Sequence, residues 1–299
     1  CAEGLSNYRL AIISTRPEFL ALPWELLNEP QIGYLAAQFG SIVRLPRPDR
    51  LPQFNEQPPN EQLNVLLVAP IPLDQNEHAT SASEDDSSGP SAPADGFEGL
   101  AAETLKALES LDVQAELHCL RPPPFAALAE HLNGKRNYYH VVQFDSMLGS
   151  QSGTELVFEG PDSSPESVPV SKVAGVLAEA GVPIALLNSG GNEPATVQPS
   201  WTALAAGLAE NGVPLVVSVP SPMPGPARDL FAQQFYRSIA GGSDVPSAVS
   251  VARRTLMNNP QRSTPTGKVA FWDWITPTVY QSKDYAPPVI VQEAPDPLA

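Results

Sequence analysis

Two stretches of the chain share one grammar. Ile184-Ala185-Leu186-Leu187 is a short apolar run that opens into Asn188-Ser189-Gly190-Gly191-Asn192. Tyr139-His140-Val141-Val142-Gln143-Phe144 opens likewise into Asp145-Ser146-Met147-Leu148-Gly149. Runs of this length, bounded by small polar residues, read as buried parallel strands that end in loops. In open α/β sheets ligands bind just outside the carboxyl ends of the strands. Two such strands placed side by side therefore turn both loops toward one cleft.

The rest of the chain supplies a sheet for those strands. Strands are expected at Tyr8–Ile13, at Ser41–Leu45 as an edge, at Asn64–Ala69, at Val113–Leu120, at Val213–Val219 and at Thr278–Tyr280. Between them fall helical patterns: Phe97–Leu111, Phe125–Leu132, Val170–Ala180 with Gly181 as its stop, Trp201–Asn211 with Gly212 as its stop, Ala227–Ala240, and Pro246–Met257 behind Asp244 as N-cap. Leu22-Pro23-Trp24-Glu25-Leu26-Leu27 reads as a helical first turn, with Trp24, Leu26 and Leu27 facing the core. Strands alternating with helices predict an α/β fold with a mostly parallel central sheet between two helical layers. The expected organisation is an N-terminal segment, residues 1–63, packed on a core of residues 64–282, followed by a flexible tail, 283–299. Residues from about 74 to 96 hold Ser, Pro, Gly, Glu and Asp and almost nothing apolar, which predicts a disordered insertion.

Composition narrows the chemistry. The formal charge is -16, from 33 acidic and 17 basic side chains, so a phosphate backbone is repelled and nucleic acid is not an expected partner. Two cysteines, Cys1 and Cys119, allow neither a disulfide framework nor a zinc cluster and fit a reducing, cytoplasmic setting. No run reaches the roughly 18 apolar residues of a membrane helix. A chain that begins with Cys reads as an excerpt of a longer protein. No GxGxxG, Walker loop or HExxH is present, and the acidic insertion matches no calcium loop, so neither a cofactor nor a metal is expected.

Further marks in order along the chain resemble a known family. They are Leu22-Pro23-Trp24-Glu25-Leu26-Leu27, Tyr34-Leu35, Ile42-Val43-Arg44, Val65-Leu66-Leu67-Val68, Tyr139 through Asp145, and Leu186-Leu187-Asn188. Phe235 through Gly242, Ala248 through Arg253, and Asp273-Trp274-Ile275-Thr276-Pro277 complete them. Together they resemble the CHAT domain, a caspase-like peptidase domain of clan CD often found behind tetratricopeptide repeats. The resemblance implies a caspase-like three-layer αβα sandwich, a peptide or protein partner, and neighbouring repeat or effector domains.

The same resemblance implies a catalytic His in a pattern like His-Phe-Asp-Gly-His-Gly and a catalytic Cys in a pattern like Asn-Ala-Cys-Gln-Ser. Aligned on Phe144-Asp145 and on Leu187-Asn188, this chain places Met147 at the His position and Gly190 at the Cys position. Thiolate attack needs a thiol and a base, and neither residue supplies one. Ser189 is one residue out of step, so strand alternation turns its hydroxyl away from the cleft. His140 sits at the wrong end of its strand, His118 and Cys119 diverge as strand neighbours, and Cys119 is expected to be buried and inert. The expected function is a pseudopeptidase that binds peptides or proteins through Asp145, Asn188, Ser189 and Gly191, with Asp145 at the cleft mouth. Two alternatives stand beside it: an active cysteine-type or serine-substituted endopeptidase with a displaced site, and a purely structural module that holds neighbouring domains.

Overall fold

The computed structural model describes residues 4–46, 62–69, 96–121, 124–146, 154–160, 164–189, 198–220, 223–264, 267–283 and 285. Eight strands form the central sheet: β1 (Arg9–Ile13), β2 (Ser41–Leu45), β3 (Leu63–Val68), β4 (Ala115–Leu120), β5 (Val141–Ser146), β6 (Ile184–Ser189), β7 (Leu215–Val219) and β8 (Thr278–Gln281). Among the described residues six longer helices accompany them: α1 (Gly96–Glu109), α2 (Phe125–Gly134), α3 (Val170–Glu179), α4 (Gln198–Glu210), α5 (Gly225–Ala240) and α6 (Val245–Asn258). The sheet order is β1-β2-β8-β7-β6-β5-β3-β4. From β7 through β4 every pairing is parallel, while β8 lies antiparallel to β7 and meets β2 at Tyr280 and Arg44. Ser41–Leu45, expected at an edge, is instead the second strand, because Arg9–Ile13 pairs along its outer side in parallel.

The layers follow from strand alternation. On one face Gln143 reaches Thr104 of α1 and Tyr236 of α5. On the other, Tyr280 reaches Thr202 of α4. Helices thus cover both faces, and Val65–Val68 of β3, Ile184–Leu187 of β6 and Leu215–Val217 of β7 are the continuous apolar runs that burial on two sides demands. The helices form where the apolar spacing indicates. In α3 the buried side chains are Val173, Ala174 and Leu177, and Gly181 ends it at φ +72, a conformation glycine adopts without penalty. Asp244 caps α6 by accepting the Ser247 amide at 2.8 Å. Glu155–Glu159 and Pro165–Pro169 pair as a short antiparallel ribbon beyond β5. Of the expected insertion, Gly96 already belongs to α1, and residues 74–95 lie outside the described residues. So does all of the expected tail except Lys283 and Tyr285.

The Trp24 turn departs from expectation. It is a single 3-10 turn, Trp24–Leu26, and its one buried side chain is Glu25. Leu27 is exposed, and Trp24 lies partly buried against Phe19, donating its indole N–H to the Phe19 carbonyl at 3.0 Å. A charged residue is drawn inward because two guanidinium groups wait for it. Arg44 of β2 grips both Glu25 oxygens at 2.8 and 2.9 Å, and Arg253 of α6 lies 3.5 Å from Glu25 Oε1. Arg44 Nε also donates to the Leu20 carbonyl at 2.8 Å, and Arg253 to the Pro277 carbonyl at 2.6 Å. Burial alone would raise the Glu25 carboxyl, but the charge and hydrogen bonds of Arg44, with Arg253 behind, hold it below the usual carboxylate range. Removing the anion strands two buried cations. Glu25→Ala should therefore lower stability by about 3–5 kcal/mol in urea unfolding. A loss under about 1 kcal/mol would show that the network is dispensable.

Candidate functional site

β5 and β6 lie side by side in register, Asp145 beside Asn188 and Ser146 beside Ser189. The two strands that the sequence singled out therefore do end together. Asp145, expected at the cleft mouth, is fully buried. Asn188 Nδ2 donates to its Oδ1 at 2.8 Å and Gln143 Nε2 to its Oδ2 at 3.1 Å. The amide of Gln143 is itself held: its Nε2 lies 3.2 Å from Thr104 Oγ1, and its Oε1 accepts the Tyr236 hydroxyl at 2.8 Å. A chain of hydrogen bonds thus runs from α5 through β5 to β6 and fixes both strand ends. Burial pushes the Asp145 carboxyl up to about 6, and the bonds from Asn188 and Gln143 only partly offset it.

Beside this network a cavity of about 40 Å³ opens outward between β6, β7, α1 and α5. Its walls include Asn188, Ser189, Met223, Phe231 and an ion pair, Arg228 to Glu103 at 2.9 Å. Burial raises the Glu103 carboxyl, Asp229 and Asp145 add to that, and Arg228 opposes it. The space holds a few water molecules or the tip of a side chain. No described residue lining it is a cysteine or a histidine. Among the described residues Ser189 Oγ is buried without a hydrogen-bond partner, and alternation puts it on the opposite face from Asn188. Met147, Gly190 and Gly191 lie outside the described residues.

The remaining thiol and imidazoles stand elsewhere. Cys119, expected to be buried, is exposed because β4 is the edge strand. Two strands separate it from β6, a distance of roughly 14 Å by ordinary strand spacing. Burial of its sulfur, with the charge of Asp145, pushes the thiol up, away from a nucleophilic thiolate. His140, just before β5, is buried, and its Nδ1 accepts the Asn64 amide at 3.0 Å. His118 and His131 both contact the Tyr139 hydroxyl. Trp274 is buried while Trp272 is exposed, and both pack on Tyr34. Among the described residues no cluster of three or more His, Cys, Asp or Glu could hold a metal, and no helix is long and apolar enough to cross a membrane.

The sequence named Asp145, Asn188 and Ser189 but missed Gln143, Tyr236, Glu103 and Arg228. Gln143 carried a signal, a polar residue two positions before Asp145 and so on the same face. The two residues of the ion pair come from separate helices and carried none.

A profile of the CHAT domain matches residues 2–280. The chain belongs to the CHAT domain family. Among solved structures it is similar to two of the Saccharomyces cerevisiae separase–securin complex, at 13% identity with TM-scores of 0.42 and 0.44. Each covers 92% of this chain but 15% or 16% of that chain. A third is Chaetomium thermophilum Raptor, at 12% identity and TM-score 0.34, covering 72% of this chain and 20% of that one. This CHAT domain thus spans under a quarter of the length of those chains. No curated protein matches it.

Two buried groups give the domain opposite responses to acid. Burial holds His140 down at about 4, so the unfolded chain binds its proton first, and stability falls as pH drops from about 6.5 to 4. Asp145 is held up at about 6 against an ordinary 3.8, so its contribution is full below 3.8 and is lost as pH rises through 6. Asp145→Asn removes the second response and adds a cost that does not vary with pH. Measured by denaturant titration, the stability of the variant relative to wild type should climb by about 2–3 kcal/mol between pH 4 and 6. A difference that stays level or falls would contradict the burial of an ionisable Asp145.

Proposed function

We propose that this CHAT domain is a pseudopeptidase, a binding module that holds an extended peptide or protein segment over the ends of β5 and β6 without cutting it. One observation carries the reading. The polar side chains at those strand ends, Asp145, Asn188 and Gln143, are committed to one another, and the described walls of the cleft supply neither thiol nor imidazole. Nucleophile and base must stand within hydrogen-bond reach of each other for covalent hydrolysis. The positions Met147 and Gly190, read from the family pattern, agree with that loss. In this reading Asn188, Ser189 and Gly191 border the bound segment and Asp145 keeps the strand ends in place behind them. The partner is a protein segment, supplied by neighbouring repeat or effector domains or by a separate chain, in a cytoplasmic setting.

A purely structural role is the second reading, favoured by the small size of the cavity. A displaced endopeptidase site has less support, because Cys119 stands on the far edge strand with its thiol pushed up.

The test is capture from a peptide library, with bound peptides read by mass. The domain should retain a subset of peptides intact over long incubation. Ala232→Trp, which fills the cleft from α5, should weaken their binding about tenfold or more. Peptides released as two fragments at a defined position would establish the endopeptidase. Absence of any binding that Ala232→Trp alters would leave the structural module.

A further inference from the structure

A cluster far from the cleft uses imidazoles that the proposed function leaves idle. It joins the edge strand β4, the helix α2 and the residues that lead into β5. His131 Nε2 lies 2.6 Å from the Tyr139 hydroxyl oxygen, and His118 Nδ1 lies 2.8 Å from the same atom. On its other side His118 Nε2 lies 2.9 Å from Glu116 Oε1. Glu116 Oε2 accepts the Tyr138 hydroxyl at 2.6 Å and the Gln62 amide at 3.1 Å. The Tyr138 hydroxyl bond above all holds the Glu116 carboxyl below its usual range, so it is an anion near neutral pH. Tyr139 is buried to 1% exposure, which fixes its oxygen between the two rings.

Counting protons fixes the direction of these bonds. A carboxylate oxygen only accepts, so His118 Nε2 carries a proton. The Nδ1 of neutral His118 is then an acceptor and takes the Tyr139 O–H. That hydroxyl has a single proton, so its oxygen accepts from His131, whose Nε2 therefore carries one. The neutral chain runs one way: His131 Nε2–H to Tyr139 O–H to His118 Nδ1, with His118 Nε2–H to Glu116.

We propose that His131, Tyr139 and His118 form a one-proton relay, in which a proton delivered to His131 comes to rest on His118 beside Glu116. A proton arriving at Nδ1 of His131 lets its Nε2 proton pass to the Tyr139 oxygen. The original Tyr139 proton passes to His118 Nδ1. Atoms and charge balance: one proton enters, His118 becomes the imidazolium, and His131 stays neutral with its proton moved from Nε2 to Nδ1. Every short contact survives, and the bond between the two histidines through Tyr139 is reversed. The charged groups that face the cluster set where the proton rests. Glu116 of β4 lies against His118, while Lys135, after α2, stands over the rings of Tyr138 and Tyr139 at 4.5 and 5.7 Å. Burial, then Lys135 and His118, push the His131 imidazole down, which fits a neutral His131 in the loaded state. The phenols of Tyr138 and Tyr139 are both pushed up and remain protonated. A second proton is resisted, since the two rings are 6.3 Å apart. The relay ties the edge strand to the entry of β5.

Nitrogen-15 spectra of the histidine rings in the whole domain test this directly. Near about pH 8 both rings should show the Nε2–H tautomer. As His118 becomes doubly protonated on acidification, the Nδ1 and Nε2 shifts of His131 should exchange while that ring stays neutral. In Tyr139→Phe, which keeps the ring but not the hydroxyl, the tautomer of His131 should no longer follow His118. Should that variant fail to fold, the wild-type tautomer exchange decides alone. A His131 that becomes an imidazolium together with His118, or that keeps its tautomer throughout, overturns the relay.

Discussion

The carboxylate of Glu25 is the tie on which the N-terminal half of the sheet depends. It sits at 0% exposure between Arg44 and Arg253, joining the turn after β1, the strand β2 and the helix α6. Arg253 also holds the Pro277 carbonyl just before β8. Desolvating three charges is costly, and their attraction repays it only when geometry is close and every element is in place. Such a network is intolerant of alternative packings. It brings together the Trp24 turn, the Arg44 strand, the Arg253 helix and the Trp274 segment, all of which carry the family resemblance. In this CHAT domain those marks describe architecture, and they say little about chemistry.

The cleft end follows a different logic. A catalytic carboxyl-end loop exposes its reactive groups, whereas here the polar side chains at the strand ends bind one another. Asp145 is enclosed by Asn188, Gln143 and, through Gln143, by Tyr236 and Thr104. Its raised pKa reflects burial and marks a positioning carboxyl. What remains open beside it is a small cavity bordered by an ion pair, suited to hold part of a side chain. The imidazole cluster lies at the entry of β5 and the buried carboxyl at its exit.

Much of the fold was legible because parallel strands buried on two faces are written as unbroken apolar runs. Val65–Val68 and Ile184–Leu187 each fell where such a run predicted, Val141–Phe144 did so with Gln143 as its polar break, and Gly181 and Asp244 marked helix ends by local chemistry. The errors arose where distant residues decide. Trp24, Leu26 and Leu27 were placed toward the core in a turn whose buried side chain is Glu25, because the partners of Glu25 lie 19 and 228 positions away. Ser41–Leu45 looked like an edge because a strand's neighbours are not encoded in its own sequence. Cys119 looked buried within an alternating strand, but β4 turned out to be the edge. At the site, period-two alternation placed Asp145 and Asn188 on one face and Ser189 on the other. It could not foresee helices α1 and α5 closing over Asp145, nor the pairing of Glu103 with Arg228 across 125 residues.

The central claim is that the ends of β5 and β6 hold a peptide and leave it whole. The most direct measurement is a crystal structure of the domain with a captured peptide. The account predicts a continuous, uncut chain crossing Asn188 and Ser189, with one side chain entering between α1 and α5 and the Asp145 network undisturbed. A peptide found cleaved there, or bound elsewhere with the cleft untouched, would contradict it.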